Sequence, residues 1–183
     1  MAQSLFLILG SFMLPLSMFL TLSSTHIKAN PLVSEICAQT QNPSQCNQVL
    51  GSAPGASTSD LKGLGYISIN IALTNAIQTS PYIASLVKHA TDKMLKSRYQ
   101  ICVESYTSSI DALKESKKFL DNGDIPSLQT FASTAFDGPS DCDDNFEEGP
   151  PAAPPTQLND ANNKLKSLVS TLLVIGKLLE GKE

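Results

Sequence analysis

Four cysteines, Cys37, Cys46, Cys102 and Cys142, carry the most reactive chemistry in the sequence, and their spacing decides what it is. None forms a Cys-x-x-Cys pair, so neither a redox dithiol nor a zinc knuckle is expected. An even count suits two disulfides in a secreted chain, and three pairings are possible. Cys37 and Cys46 flank Gln41-Asn42-Pro43, a natural turn, which favours Cys37–Cys46 together with Cys102–Cys142. Other catalytic chemistry is thin. Of two histidines, only His89 lies beyond residue 29. One imidazole cannot build a His-rich metal site, and nothing nearby resembles a nucleophile elbow, so His89 reads as a surface helical residue. Asp141, Asp143 and Asp144 lack the alternation and the glycine of an EF-hand loop. No catalytic residue, metal or cofactor is expected. The chain reads as one that binds rather than reacts.

Binding points first to Arg98–Leu120. There Tyr99, Cys102, Tyr106, Ile110, Leu113 and Leu120 recur at three- and four-residue steps, the apolar stripe of a helix. Glu104, Ser108, Asp111 and Glu115 recur at the same steps on another face. A packed helix with an ordered acidic face can serve as a recognition surface; the alternative is a stripe that is merely solvated. A second acidic group, Asp137, Asp141, Asp143, Asp144, Glu147 and Glu148, falls within one window without a base. Acids outnumber bases, 17 to 13. Such a surface excludes nucleic acid as the natural partner and suits a basic macromolecule.

These residues need elements to hold them. Residues 1–29 read as a secretory signal: Leu5–Leu22 is apolar but interrupted by Gly10 and Pro15, and Ile27-Lys28-Ala29 fits the cleavage rule. A membrane anchor is the alternative, since the run nears the minimum for a span. Residues 30–183 then form one domain, with 30–59 a short helical hairpin and 60–183 four long helices. The first long helix runs from about Asp60 to Ala90, buries Leu61, Leu64, Ile67 and Ile71, and is expected to kink or break near Pro81. The second starts at Thr91-Asp92 and stops at Asn122-Gly123. Asp124 caps the third, which Gly138-Pro139 should end. Four prolines between Gly149 and Pro155 make an extended connection, and Thr156 should cap the last helix. That helix carries Leu158, Ala161, Leu165, Leu168, Leu172, Ile175 and Leu179 at alternating three–four spacing. The expected fold is all-α: an antiparallel up-down-up-down four-helix bundle preceded by a helical hairpin, with two disulfides. A secreted bundle could instead carry a lipid in its core, but the tight spacing of the last helix favours a filled interior.

Several blocks resemble a known family: LVSEIC (Leu32–Cys37), NPSQC (Asn42–Cys46), DLKGLG (Asp60–Gly65), FASTAFDG (Phe131–Gly138) and CDDNFEEGPP (Cys142–Pro151). In this order they are similar to the plant invertase/pectin methylesterase inhibitor family. The resemblance implies a secreted protein of the cell wall, the apoplast. It also implies a monomer that inhibits a carbohydrate-active enzyme one-to-one, with no membrane role after signal removal. Invertase inhibitors of the family carry Pro-Lys-Phe after a Gly-Asp, whereas Gly123-Asp124 is followed here by Ile125-Pro126-Ser127. The resemblance therefore points to pectin methylesterase as the partner, with acid invertase the alternative. It implies that Glu104, Ser108 and Asp111, with Asp141 beside Cys142, face the enzyme. Ser108 stands where a close relative has an aspartate, Asp141 where it has a threonine, and Val169 where it has an unpaired cysteine.

Overall fold

The computed structural model describes residues 30–147, 149 and 153–182; the expected signal segment, 1–29, lies outside them. Five of the six helix starts follow from a side chain that accepts an otherwise unpaired first-turn N–H. Asn30 and Asn42 cap α1 (Pro31–Ala38) and α2 (Pro43–Gly51), each followed by a proline that needs no donor there. Asp60 Oδ1 accepts from Gly63 N at 2.7 Å and opens α3 (Leu61–His89). Asp92 and Asp124 do the same for α4 (Lys93–Asn122) and α5 (Ile125–Asp144). Gly123, at φ 75°, ends α4 in the left-handed conformation that glycine adopts without penalty. At α6 (Thr156–Glu180) the expected cap is displaced by one residue. Thr156 is already helical, Pro155 is the cap, and no side chain bonds the first turn.

The chain is all-α among the described residues. Helix α3 packs on α4 and α6, and α5 packs on the same two, closing a ring of four. Directions follow from the contacts. Gly65, early in α3, lies against Leu120 late in α4 and Ile175 late in α6. Cys102, early in α4, bonds Cys142 late in α5. Gln129, early in α5, meets Gly176 late in α6. Every neighbouring pair is therefore antiparallel. The hairpin α1–α2 is closed by Cys37–Cys46 and buries Val33, Ile36 and Leu50 against Leu61, Leu64 and Ile175 at one end of the bundle. Both disulfide pairings are those favoured by spacing.

At two proline sites the helices continue without a break. Helix α3 runs unbroken through Pro81. Pro81 and Ile77 are both exposed, so the carbonyl left without a donor lies on the solvent side, where water serves it. Gly138-Pro139 does not end α5 either; both residues are buried inside it. Pro139 cannot donate to the carbonyl of Ala135, four residues back, but Ser109 of α4 does so through its hydroxyl at 3.0 Å. Gly138 leaves the room for that approach, since a Cβ there would lie 2.0 Å from Ser109 Oγ. The apparent helix breaker is a helix crossing.

The buried faces also shift. In α3 they include Gly65, Ser68, Ile69, Ala72 and Ala76, with Ile67 and Ile71 only half-buried. Small residues, Gly65, Ser68, Ala72 and Ala76, share this face with Leu61, Leu64, Ile69 and Ile83. In α6 the seam contains a buried asparagine, Asn162, whose Oδ1 accepts from Tyr106 Oη at 2.8 Å and whose Nδ2 donates to Asp143 Oδ1 at 2.5 Å. Lys166 Nζ holds the other oxygen of Asp143 at 2.8 Å. This chain of bonds ties α4, α5 and α6 together and leads from the core to the surface.

Two stability measurements follow. Opening Cys102–Cys142 frees a 40-residue separation and should destabilise the bundle by about 4 kcal/mol on chain entropy, against about 2.5 kcal/mol for the nine-residue Cys37–Cys46 separation. Denaturation of the two double Cys→Ala variants checks that order. Burial, and then the charge of Asp143, raise the Tyr106 pKa above its ordinary 10.0. The folded state therefore holds the phenol proton more tightly than the unfolded chain does. Its stabilisation is complete below the unfolded value and is lost as pH rises beyond it towards the folded one. Unfolding measured upward from pH about 10 should show a steep loss of stability, shallower in Tyr106→Phe.

Candidate functional site

Helical phase places Glu104, Ser108 and Asp111 on the side of α4 away from the core, and all three are exposed. Glu104 and Asp111 are seven residues apart, about 10 Å along the axis. Asp141 is brought to the same face by the disulfide. Cys102 and Cys142 join antiparallel helices, and the residues preceding them, Ile101 and Asp141, turn to the same side of the α4/α5 seam. Both are exposed, Ile101 by 39%. The seam beneath them is rigid. Besides the disulfide it holds the Ser109–Ala135 hydrogen bond and the close approach of Gly138 to Ser105. Glu104, Ser108 and Asp111 thus lie on the exposed side of α4, and Asp141 lies exposed on α5 beside the disulfide.

Its electrostatics are less uniform than an acidic stripe. Asp111 pairs with Lys114 at 2.8 Å and Glu115 with Lys118 at 2.6 Å, each three residues on. Both pairs are exposed and contribute little to stability. Glu104 has no ion-pair partner among the described residues and is the uncompensated charge of the row. The second acidic group is divided too. Asp143 turns inward to Asn162 and Lys166, while Asp137, Asp141, Asp144 and Glu147 stay exposed. Arg98 of α4 is buried over the Phe146 ring, 5.6 Å from its centroid, and donates from Nη1 to Gly149 O. Asn145 Nδ2 returns a bond to Arg98 O. A base distant in sequence therefore pins the acidic segment to α4.

Sequence reasoning did not weigh Ile101, Lys114 or Lys118. The lysines were legible at i+3 spacing. The exposure of Ile101 was not, because an isoleucine beside a buried cysteine also suits a core. His89 is exposed, with Nδ1 2.7 Å from Ser85 O. No group of three metal-ligating side chains occurs among the described residues, and no helix among them is long and apolar enough to cross a membrane.

Four long antiparallel helices and a capping hairpin, tied by two disulfides, define a protein of the four-helix-bundle class. Its family is shown by comparison: residues 31–175 match the model described as plant invertase/pectin methylesterase inhibitor, and the chain belongs to that family. A pectinesterase inhibitor of Actinidia deliciosa is 52% identical over 154 residues, covering 84% of this chain and 82% of the relative. A putative invertase inhibitor of Platanus acerifolia is 30% identical over 73% of this chain and 74% of its own. The crystal structure of a mutant form of a pectin methylesterase inhibitor from Arabidopsis superposes with a TM-score of 0.71 at 28% identity, covering 80% of this chain and 95% of that one.

Proposed function

We propose that this protein inhibits pectin methylesterase by binding one-to-one, as a secreted monomer of the apoplast freed of residues 1–29, with its α4/α5 face across the enzyme's pectin-binding cleft. The observation that carries this reading is the exposed row of Glu104, Ser108 and Asp111, joined by Asp141 across a disulfide-locked seam, in a chain 52% identical to a pectinesterase inhibitor. Inhibition of this kind needs no chemistry from the inhibitor. It needs a surface that is already ordered before binding, so that little entropy is lost on association. The disulfide and the Ser109 bond supply that order. Ile101, apolar and exposed, suits the centre of such a contact, where a desolvated anchor contributes most.

Acid invertase is the alternative target. The sequence after Gly123-Asp124, Ile125-Pro126-Ser127, and the lower identity to the putative invertase inhibitor both favour pectin methylesterase. A lipid-carrying role is disfavoured by an interior in which Leu158, Leu165, Val169 and Leu172 are fully buried. The test is titration of methylester release by purified pectin methylesterase, with an acid invertase assay in parallel. Inhibition reaching completion at one equivalent of inhibitor in the first assay alone is the expected result. Inhibition of invertase alone would transfer the reading to the other branch.

A further inference from the structure

Reactive sulfur in this chain narrows to one atom. Both disulfides are formed, and no free cysteine remains among the described residues. The sequence holds no tryptophan, and Met94 is its only methionine after residue 29. That side chain stands 58% exposed in the first turn of α4, more open than any other large apolar residue described. It belongs to neither hydrophobic cluster, so the fold does not depend on its packing. Its position is the second observation. Seven-residue steps, each close to two whole turns, lead from Met94 to Ile101 and on to Ser108. The three form one exposed row about 21 Å long on α4. Met94 and Ile101 are two of the three large apolar side chains that stand exposed among the described residues; the third, Ile77, is on α3.

An exposed thioether is the side chain here that a peroxide oxidises most readily. The sulfur lone pair attacks one peroxide oxygen. An S–O bond forms, the O–O bond breaks, and the second oxygen leaves as water with both protons. Sulfur gives up two electrons and the peroxide takes them. The product, methionine sulfoxide, keeps the length of the side chain but replaces an apolar atom by a strong hydrogen-bond acceptor. On the free protein that oxygen is hydrated at no cost. Against a partner it has to lose its water, so one end of the row changes from an apolar contact to a polar group that is expensive to bury. We propose that Met94 is an oxidative modification site on the α4 face, where conversion to the sulfoxide by a peroxide weakens the hold on the partner enzyme. A sulfoxide reductase reverses the step: the oxygen leaves as water, and two thiols are joined as a disulfide. The proposal rests on the reading of α4 as the face that meets pectin methylesterase. The loss is partial, because Ile101 and the carboxylates of the row are untouched.

The test treats the protein spanning residues 30–183 with dilute hydrogen peroxide, removes the excess, and follows mass, melting temperature and inhibition of pectin methylesterase together. Uptake of one oxygen atom, mapped to the peptide that carries Met94, is expected. The melting temperature should not change, and the inhibition constant should rise about tenfold. Methionine sulfoxide reductase with a dithiol should return the constant to its starting value. Met94→Leu has no sulfur to oxidise and should give the same constant before and after peroxide. Met94→Gln, polar without oxidation, should show a comparable loss untreated. First uptake at another residue, an unchanged constant after full conversion of Met94, or an equal loss in treated Met94→Leu would each overturn the proposal. A lowered melting temperature would do so too, by placing the effect in the fold. Failure of the underlying reading looks different: the untreated protein would then not inhibit the enzyme at all, and that result would remove both.

Discussion

Gly138→Ala is expected to destabilise the protein by about 3 kcal/mol, at the upper end of what one added methyl does in a packed interior. The reason is what the methyl meets. A Cβ at this position would lie 2.0 Å from Ser109 Oγ and 2.5 Å from the backbone oxygen of Ser105. A hydroxyl can rotate aside, but a helix carbonyl cannot. Relief would require α4 and α5 to separate, and Cys102–Cys142 holds them together four residues further along α5. Moving Ser109 would also break its bond to Ala135 O and leave that carbonyl buried without a donor, because Pro139 has none to give. Denaturant titration of Gly138→Ala and of Gly138→Ala/Ser109→Ala measures the two parts. The double variant should recover little, since the backbone clash remains and the carbonyl stays orphaned. A single variant within 1 kcal/mol of the parent protein would show that the two helices do not approach this closely.

The same site shows why some of the fold was legible in the sequence and some was not. Helix starts at Asp60, Asp92 and Asp124, and the stop at Gly123, were readable because capping is settled within four residues. Gly138-Pro139 looks like a helix end by the same local rules, and the group that rescues it is Ser109, which reaches Ala135 from 26 residues away. Pro81 survives for a different reason, exposure to water, which a single sequence does not display. On α3, Leu61 and Leu64 are buried as read, whereas Ile67 and Ile71 lie one step aside. Close helix packing selects Gly65, Ala72 and Ala76, which hydrophobic patterning undervalues. Asn162 was hidden because a polar residue in an apolar seam is visible only when its partners, Tyr106 and Asp143, are seen. For the proposed binding face, periodicity sufficed to put Glu104, Ser108 and Asp111 on one side of α4. It did not reveal which of those charges is already neutralised.

That difference separates the two carboxylates in their expected effect on inhibition. Glu104→Lys should weaken inhibition about a hundredfold, and Asp111→Lys about tenfold. Glu104 presents its full charge to a partner, so reversal both removes an attraction and installs a repulsion at the rigid centre of the face. Asp111 shares its charge with Lys114, and its contribution is offset before binding begins. Both side chains are exposed, and neither belongs to the core, so melting temperatures should stay near that of the parent protein. Added salt should weaken the wild-type complex mainly by slowing association, and this dependence should be smaller in Glu104→Lys. Lys114→Gln provides the complementary result: freeing Asp111 from its partner should make Asp111→Lys as damaging in that background as Glu104→Lys is alone. Inhibition constants for pectin methylesterase at two salt concentrations check all of these values. Wild-type constants for both reversals would remove α4 as the recognition element and move the contact along the seam to Asp141, where Asp141→Lys would then have to carry the loss.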